Sequence, residues 1–240
     1  MNWRQGNILA DRYLELTLAD WKNALLLVGM APALAGIAVL VWGNIAQANE
    51  SLYFVMTLSM IFIGCISACR EIVKERALFL RERMFNLEIG AYLYSKVRVL
   101  LVVNVVQSVL YGAIVTKYLD TRIPIGWLLI ALFLCTACGM CMGLAVSALV
   151  KRSDRAVMAV PLLILPQLVF SQFAISKDQF SGASEWIYNL MPSRWGFEAL
   201  TEFAKTNTSL TQAVANMLPL LIFCAVFILL AYPLLYRHRY

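Results

Sequence analysis

Few residues in this 240-residue chain have the types and spacing for chemistry. Glu71 and Glu75, with Arg76, have the outline of a membrane-protease carboxylate motif, but the histidine such a motif needs is missing. The one histidine is His238, so neither metalloprotease chemistry nor histidine-assisted serine hydrolysis has its base. Cys135, Cys138 and Cys141 stand three apart, a spacing that could serve a metal, yet no His or carboxylate lies near them in sequence. All six cysteines (Cys65, Cys69, Cys135, Cys138, Cys141, Cys224) fall inside apolar runs, where a cysteine acts as a small apolar packing residue. None sits in a polar loop, so no stabilising external disulfide is expected. No GxxxxGK[ST] phosphate loop occurs, which excludes nucleotide binding of the Walker kind. The chain is thus expected to be no enzyme, with no metal site and no cofactor of its own.

Composition explains why catalytic groups are so sparse. Hydrophobic residues make up 61% and charged residues 14%, against norms of about half and about a quarter. Mean hydropathy is +0.73. A soluble domain of this size would have to expose much of that apolar surface. Lipid is therefore the expected solvent. The net charge of +6 comes from basic residues that flank apolar runs, which fits membrane topology rather than nucleic acid.

Six apolar runs are long enough, or nearly so, to span a bilayer: about 24–43, 52–69, 99–116, 126–150, 156–175 and 217–236. None contains an ionisable residue. Between them lie a segment 70–98 on one side and a long segment 176–213 on the other, all within one transmembrane domain, 1–240. The twenty Lys and Arg residues divide unevenly between alternate connections: fifteen fall with the two termini, 70–98 and the 151–155 loop, and five on the opposite side. The positive-inside rule then places both termini in the cytoplasm of a multi-pass protein of the plasma (inner) membrane. Trp21, Trp42 and Trp127 fall at run ends, where an aromatic belt would hold them. Residues 1–23 lack a signal peptide's basic-then-apolar order.

Two polar stretches carry apolar residues. In 1–23, Leu9, Tyr13 and Leu16 share a helical face opposite Asp11 and Glu15, which predicts an amphipathic helix on the membrane surface. In Arg70–Lys96, charge is mixed with Leu78, Phe79, Leu80, Met84 and Phe85. This is long for a plain connection, and its apolar residues need a cover, either internal or from a cytosolic partner.

The spans have internal patterns as well. Cys135, Gly139, Gly143 and Ser147 form a small-residue stripe that permits close helix approach, within the chain or between subunits. Pro32, Pro161, Pro166, Pro219 and Pro233 each remove a backbone donor inside a span. Asn104, Gln107, Ser108 and Tyr111 share one face and must meet protein or water, as packing glue or along a substrate path. No span carries the titratable relay that proton-coupled transport needs. A channel, a scaffold, or a subunit driven by a separate ATPase remains.

Four stretches, in order, carry a resemblance: NILADRYLELTLADWKNALLL, ERALFLRERMFNLEIGAYLYSKV, MGLAVSALVKRSDRAVMAVPLLILPQLVFSQFAI and MPSRWGFEAL. Together they resemble the type-2 ABC exporter permeases, especially the white-type (G-subfamily) half-transporters and their bacterial relatives. The resemblance covers nearly the whole chain. It departs at Gln172, where the family often has Gly, and in lacking the external cysteines of animal relatives.

The resemblance implies an all-α membrane fold, six spans preceded by an amphipathic interfacial helix. It implies a homodimer or pseudo-dimer in the lipid bilayer, moving a hydrophobic or amphipathic substrate by alternating access. It implies an ABC ATPase subunit, on a separate chain or in a region outside these residues, that binds the ATP and Mg. Arg81, Glu82 and Arg83, with Phe85 and Tyr92 as apolar anchors, would meet that ATPase. The second and fifth spans would line the path, through Phe54, Leu58, Ile61, Leu165 and Val169. The competing reading is a non-transporting polytopic scaffold or regulator.

Overall fold

A computed structural model describes residues 3–44, 50–172, 182–205 and 210–237. Ten α-helices account for most of them: α1 Trp3–Ala19, α2 Trp21–Trp42, α3 Glu50–Ala68, α4 Arg76–Arg83, α5 Ile89–Tyr118, α6 Ile125–Leu149, α7 Ser153–Val169, α8 Ala183–Asn189, α9 Pro192–Ala204 and α10 Leu210–Arg237. A 3-10 turn, Val73–Glu75, links α3 to α4. No strand occurs among the described residues. Helices are what a backbone forms when lipid offers it no hydrogen-bond partner.

Among the described residues, five stretches are long and apolar enough to cross a membrane: Trp21–Trp42, the window within Glu50–Arg83, Ile89–Tyr118, Ile125–Leu149 and Thr211–Tyr236. The sixth expected crossing, 156–175, corresponds to α7, which has 17 residues and falls just short. It closes at Phe170, whose N–H bonds the Pro166 carbonyl at 2.8 Å. At 1.5 Å per residue it still covers about 25 Å. It starts beside the α6 terminus and approaches α9, where the Ser193 hydroxyl donates to the Gln167 carbonyl at 3.4 Å. Residues 173–175 of that run, and 176–181 of the segment after it, lie outside the described residues, as do 45–49 and His238.

The third crossing is longer than its apolar run. α5 begins at Ile89, ten residues before Val99, and its 30 residues reach about 45 Å, well beyond the hydrocarbon. The expected segment 70–98 therefore ends in helix rather than loop.

The tightest packing joins α3 to α6. A Cβ on Gly64 would lie 2.0 Å from the Thr136 carbonyl oxygen, and one on Gly139 2.0 Å from the Ile61 carbonyl oxygen. A Cβ on Gly143 would lie 2.4 Å from the Cys65 carbonyl oxygen. The obstacles are backbone, so no side chain can swing aside. The stripe seen in the sequence is an internal seam. Its last member, Ser147, accepts from the Ile72 and Val73 N–H groups, both at 3.0 Å.

The polar face of α5 is internal too. The Gln107 side-chain nitrogen donates to the Leu27 carbonyl (2.8 Å) and the Ser67 hydroxyl (3.2 Å). The Asn104 side-chain nitrogen reaches Met140 Sδ at 3.4 Å, and Ser108 lies 3.4 Å from the Thr136 hydroxyl. Together these tie α5 to α2, α3 and α6. At the opposite end of the bundle, α8 and α9 form short helices, and α9 inserts Phe197 against Phe54, with ring centroids 6.2 Å apart. Phe203 stacks on Trp127 at 5.1 Å.

Gly139→Val should prevent stable assembly, because overpacking costs about 1–3 kcal/mol even where neighbours can relax. Gly36→Val, where nothing lies within 4 Å, is the matched control. Thermal stability in detergent, with the first variant lost and the second near wild type, checks the seam.

Candidate coupling site

α1, the turn after α3, α4 and the start of α5 converge at the end of the bundle opposite α8 and α9. α1 buries Gly6, Ala10 and Tyr13, spaced four and three apart, against α5. Gly6 is required there, since an added Cβ would come within 2.9 Å of the Tyr94 ring. Of the face expected from sequence, Tyr13 is buried, Leu9 partly so, and Leu16 is exposed. The helix lies rotated toward the protein because Tyr13 has polar partners there.

Those partners form a cluster. The Tyr13 hydroxyl donates to Glu71 Oε2, and Lys74 Nζ binds Glu71 Oε1 at 2.7 Å. Lys96 Nζ pairs with Glu75 Oε2 at 2.6 Å and sits 3.5 Å from the Tyr13 ring centroid. Lys96 is only 1% exposed. Burial first, then the Glu71 carboxylate, raises the Tyr13 pKa well above the usual phenol range, so it stays a donor. A buried ion pair of this kind is costly to break from one side, because the remaining charge is stranded.

The cluster aims α4. Arg12 meets Glu82 at 2.6 Å, and this hydrogen bond raises the arginine's pKa despite partial desolvation. Arg76 donates to the Val150 carbonyl at 2.9 Å. Arg83 donates to the Leu235 carbonyl at 3.0 Å and stacks over Tyr236 at 5.3 Å. α4 is therefore tied to α1, α6 and α10 at once. It ends in a tip whose Asn86 adopts φ 64, a left-handed conformation that Asn tolerates. Met84 and Phe85 project from this tip, each 82% exposed.

The residues expected to meet an ATPase thus divide in two. Arg81 and Phe85 face outward. Glu82 and Arg83 are engaged with Arg12 and with α10. Tyr92 is turned inward, 3% exposed, with its ring 4.7 Å from Phe79. It supports the segment from inside and offers no outer surface. Met84 belongs beside Phe85 at the tip.

The residues expected on a path divide likewise. Phe54 and Ile61 are buried inside the chain, Phe54 against α9 and Ile61 at the seam with α6. Close approach at Gly139 draws Ile61 toward α6, so within this chain both residues meet protein. Leu58 is partly buried, and Leu165 and Val169 are exposed on α7. Among the described residues, no group of three or more His, Cys, Asp or Glu is arranged to hold a metal.

The sequence reading missed Lys96, Glu71, Glu75 and Tyr13 as one cluster. The signal available was Glu71 and Glu75 one helical turn apart, with Lys96 just before an apolar run. Their meeting depends on α5 extending back to Ile89.

A bundle of membrane-crossing helices with an apolar-tipped projection at one end defines a polytopic membrane protein. Residues 4–203 match the family described as ABC-2 type transporter, and the chain belongs to that family. The chain is also similar to an ABC transporter ATP-binding/permease protein of Mycobacterium tuberculosis, 29% identical over 228 residues. That match covers 82% of this chain and 25% of the relative, so the chain spans about a quarter of the relative's length. The chain is accordingly an ABC transporter permease, integral to a membrane.

Glu75→Gln should strand the Lys96 charge and destabilise the protein by about 3–5 kcal/mol. Replacing both members, Glu75→Leu with Lys96→Met, should recover most of that loss. Thermal unfolding of the three proteins in the same detergent is the check, with the single variant lowest.

Proposed function

We propose that this chain is the permease subunit of an ATP-driven exporter, working as a dimer with ABC ATPase subunits that bind the ATP and Mg. The carrying observation is the α4 tip: Met84 and Phe85, 82% exposed, on a short helix braced by three other helices. Exposed apolar residues beside Arg81 fit an apolar pocket with a charged rim on a partner, where central aromatics supply most of the binding energy. Bracing lets a push on the tip move α1, α5 and α10 together. Family membership and the relative named for both ATP-binding and permease functions support this reading.

In this reading the tip end is cytosolic, with both termini there, as the basic-residue bias favours. The α8–α9 end is external. The substrate is hydrophobic or amphipathic and moves by alternating access. Leu58, Leu165 and Val169 are the path residues whose positions allow contact outside the single-chain core.

Phe85→Ala should weaken association with the ATPase by about 2 kcal/mol or more, while the permease inserts and unfolds as wild type. Glu82→Arg should impair coupling by repelling Arg12, and Arg12→Glu in the same chain should restore it. Co-purification of the ATPase and substrate-stimulated ATP hydrolysis are the readouts. Wild-type binding and stimulation in Phe85→Ala would instead favour the scaffold reading. Cysteines introduced at positions 82 and 153 should label only from the cytosolic side, and one at 184 only from outside, in a cysteine-free background.

A further inference from the structure

A cavity of about 140 Å³ lies where the end of α1, the start of α2, the end of α3 and α5 meet. Neither Met84 nor Phe85 lines it, and transport as proposed above does not require it. Its two ends differ in chemistry. One end carries Asp20, Asn23, Arg70 and the Glu71–Lys74 pair. The other is walled by Leu27, Ile66 and Val103, with the Ser67 hydroxyl among them. Behind that inner end lies Gln107, fully buried, bonded to the lining Leu27 carbonyl and Ser67 hydroxyl. Its side-chain oxygen has no hydrogen-bond partner.

Most charges at the polar end are already satisfied. Glu71 is held by Tyr13 and Lys74, and Glu75 by Lys96. One Asp20 oxygen accepts from the Asn23 N–H at 3.4 Å. The Arg70 guanidinium is exposed, with no hydrogen-bonded or ion-paired side-chain partner among the described residues. The polar end thus offers a free cation from the segment after α3 and, from the α1–α2 junction, an amide donor beside a carboxylate. Three carboxylates (Asp20, Glu71, Glu75) are balanced by Arg70, Lys74 and Lys96, so the surroundings are neutral overall. A purely anionic group finds Arg70 but also meets Asp20, whereas a zwitterion with a primary ammonium has partners for both charges, and a choline head group lacks the N–H that Asp20 would accept. The apolar inner wall, continuous with a membrane-crossing helix, adds a place for acyl chain.

We propose that this cavity is a binding site for a phospholipid with a phosphoethanolamine head group. The phosphate is received by Arg70 and Asn23, the ammonium by Asp20, and the first chain carbons by Leu27, Ile66 and Val103. Bidentate arginine contacts suit phosphate oxygens. A lipid seated there bridges α1 to α2 and α3, beside the cluster that braces the coupling segment.

The test places the full chain in phosphatidylcholine vesicles with a small fraction of photoactivatable phosphatidylethanolamine, and maps the crosslinks. Labelling should concentrate in residues 16–27 and 66–75. Unlabelled phosphatidylethanolamine should compete, and phosphatidylglycerol should not. Arg70→Gln, Asp20→Asn and Leu27→Trp should each lower labelling there about tenfold, the size expected for losing a charge-assisted hydrogen bond or the space for the chain. Lys117→Gln, at the opposite end, should leave it unchanged. Equal competition by phosphatidylglycerol would overturn the head-group assignment. Competition by free phosphoethanolamine alone would assign the site to a soluble ligand and overturn the lipid. Unchanged labelling in all three variants would place the lipid elsewhere. Should a variant fail to fold, the competition series on the wild-type chain still decides.

Discussion

The buried pair of Lys96 and Glu75 is the constraint around which the rest is arranged. An ammonium only 1% exposed, at the start of a membrane-crossing helix, must have a partner within reach. Glu75 is that partner, and the Tyr13 ring covers the other side of the ammonium. To supply both, the chain must turn back directly after α3 and lay α1 along α5. Glu71, Lys74, Arg12 and Glu82 then fall into register around the pair. The outcome is an aimed projection rather than a flexible loop: α4 is braced by α1, α6 and α10 and leads to an exposed tip at Met84 and Phe85.

That arrangement requires α3 to be fixed along its whole length. In lipid there is no hydrophobic force between helices, so contact must come from close packing and hydrogen bonds. Gly64, Gly139 and Gly143 let α3 and α6 touch backbone to backbone. At the end of that seam, Ser147 satisfies two N–H groups at the start of the turn after α3. The seam delivers Glu71 and Glu75 to their position, and α5 delivers Lys96. Gln107 and Asn104 secure α5 against the same helices. Side chains that would be costly in lipid are used where helices must meet.

Much of this was legible in the sequence. Six apolar runs, the amphipathic start and the small-residue stripe follow from hydropathy and spacing, which reflect what lipid demands of any helix. The α8 and α9 helices carry Trp186 and Trp195 among polar residues, and α9 has Pro192 at its first turn, where proline suits a helix start. What could not be read was which side of each helix faces its neighbour. Phe54, Leu58 and Ile61 share a face, but only the approach at Gly139 shows Ile61 packed against α6. Tyr92 has the aromatic character of a docking anchor, and only the fold shows Phe79 covering it. Span ends were obscured at α5, where a polar helical extension resembles loop in composition. At α7, Pro166 precedes an early stop within a run that stays apolar.

The central claim is that α1 and α4 form one rigid unit held by the charged cluster between them. Spin labels at Glu15 and Arg81, both exposed, report on it directly in a cysteine-free background. The account predicts one narrow distance distribution between them, unchanged when the co-purified ATPase is cycled between nucleotide-free and ATP-bound states, and broadened by Glu75→Gln. A broad or nucleotide-dependent distribution in the otherwise unmodified chain would contradict it, by showing that the two helices move independently.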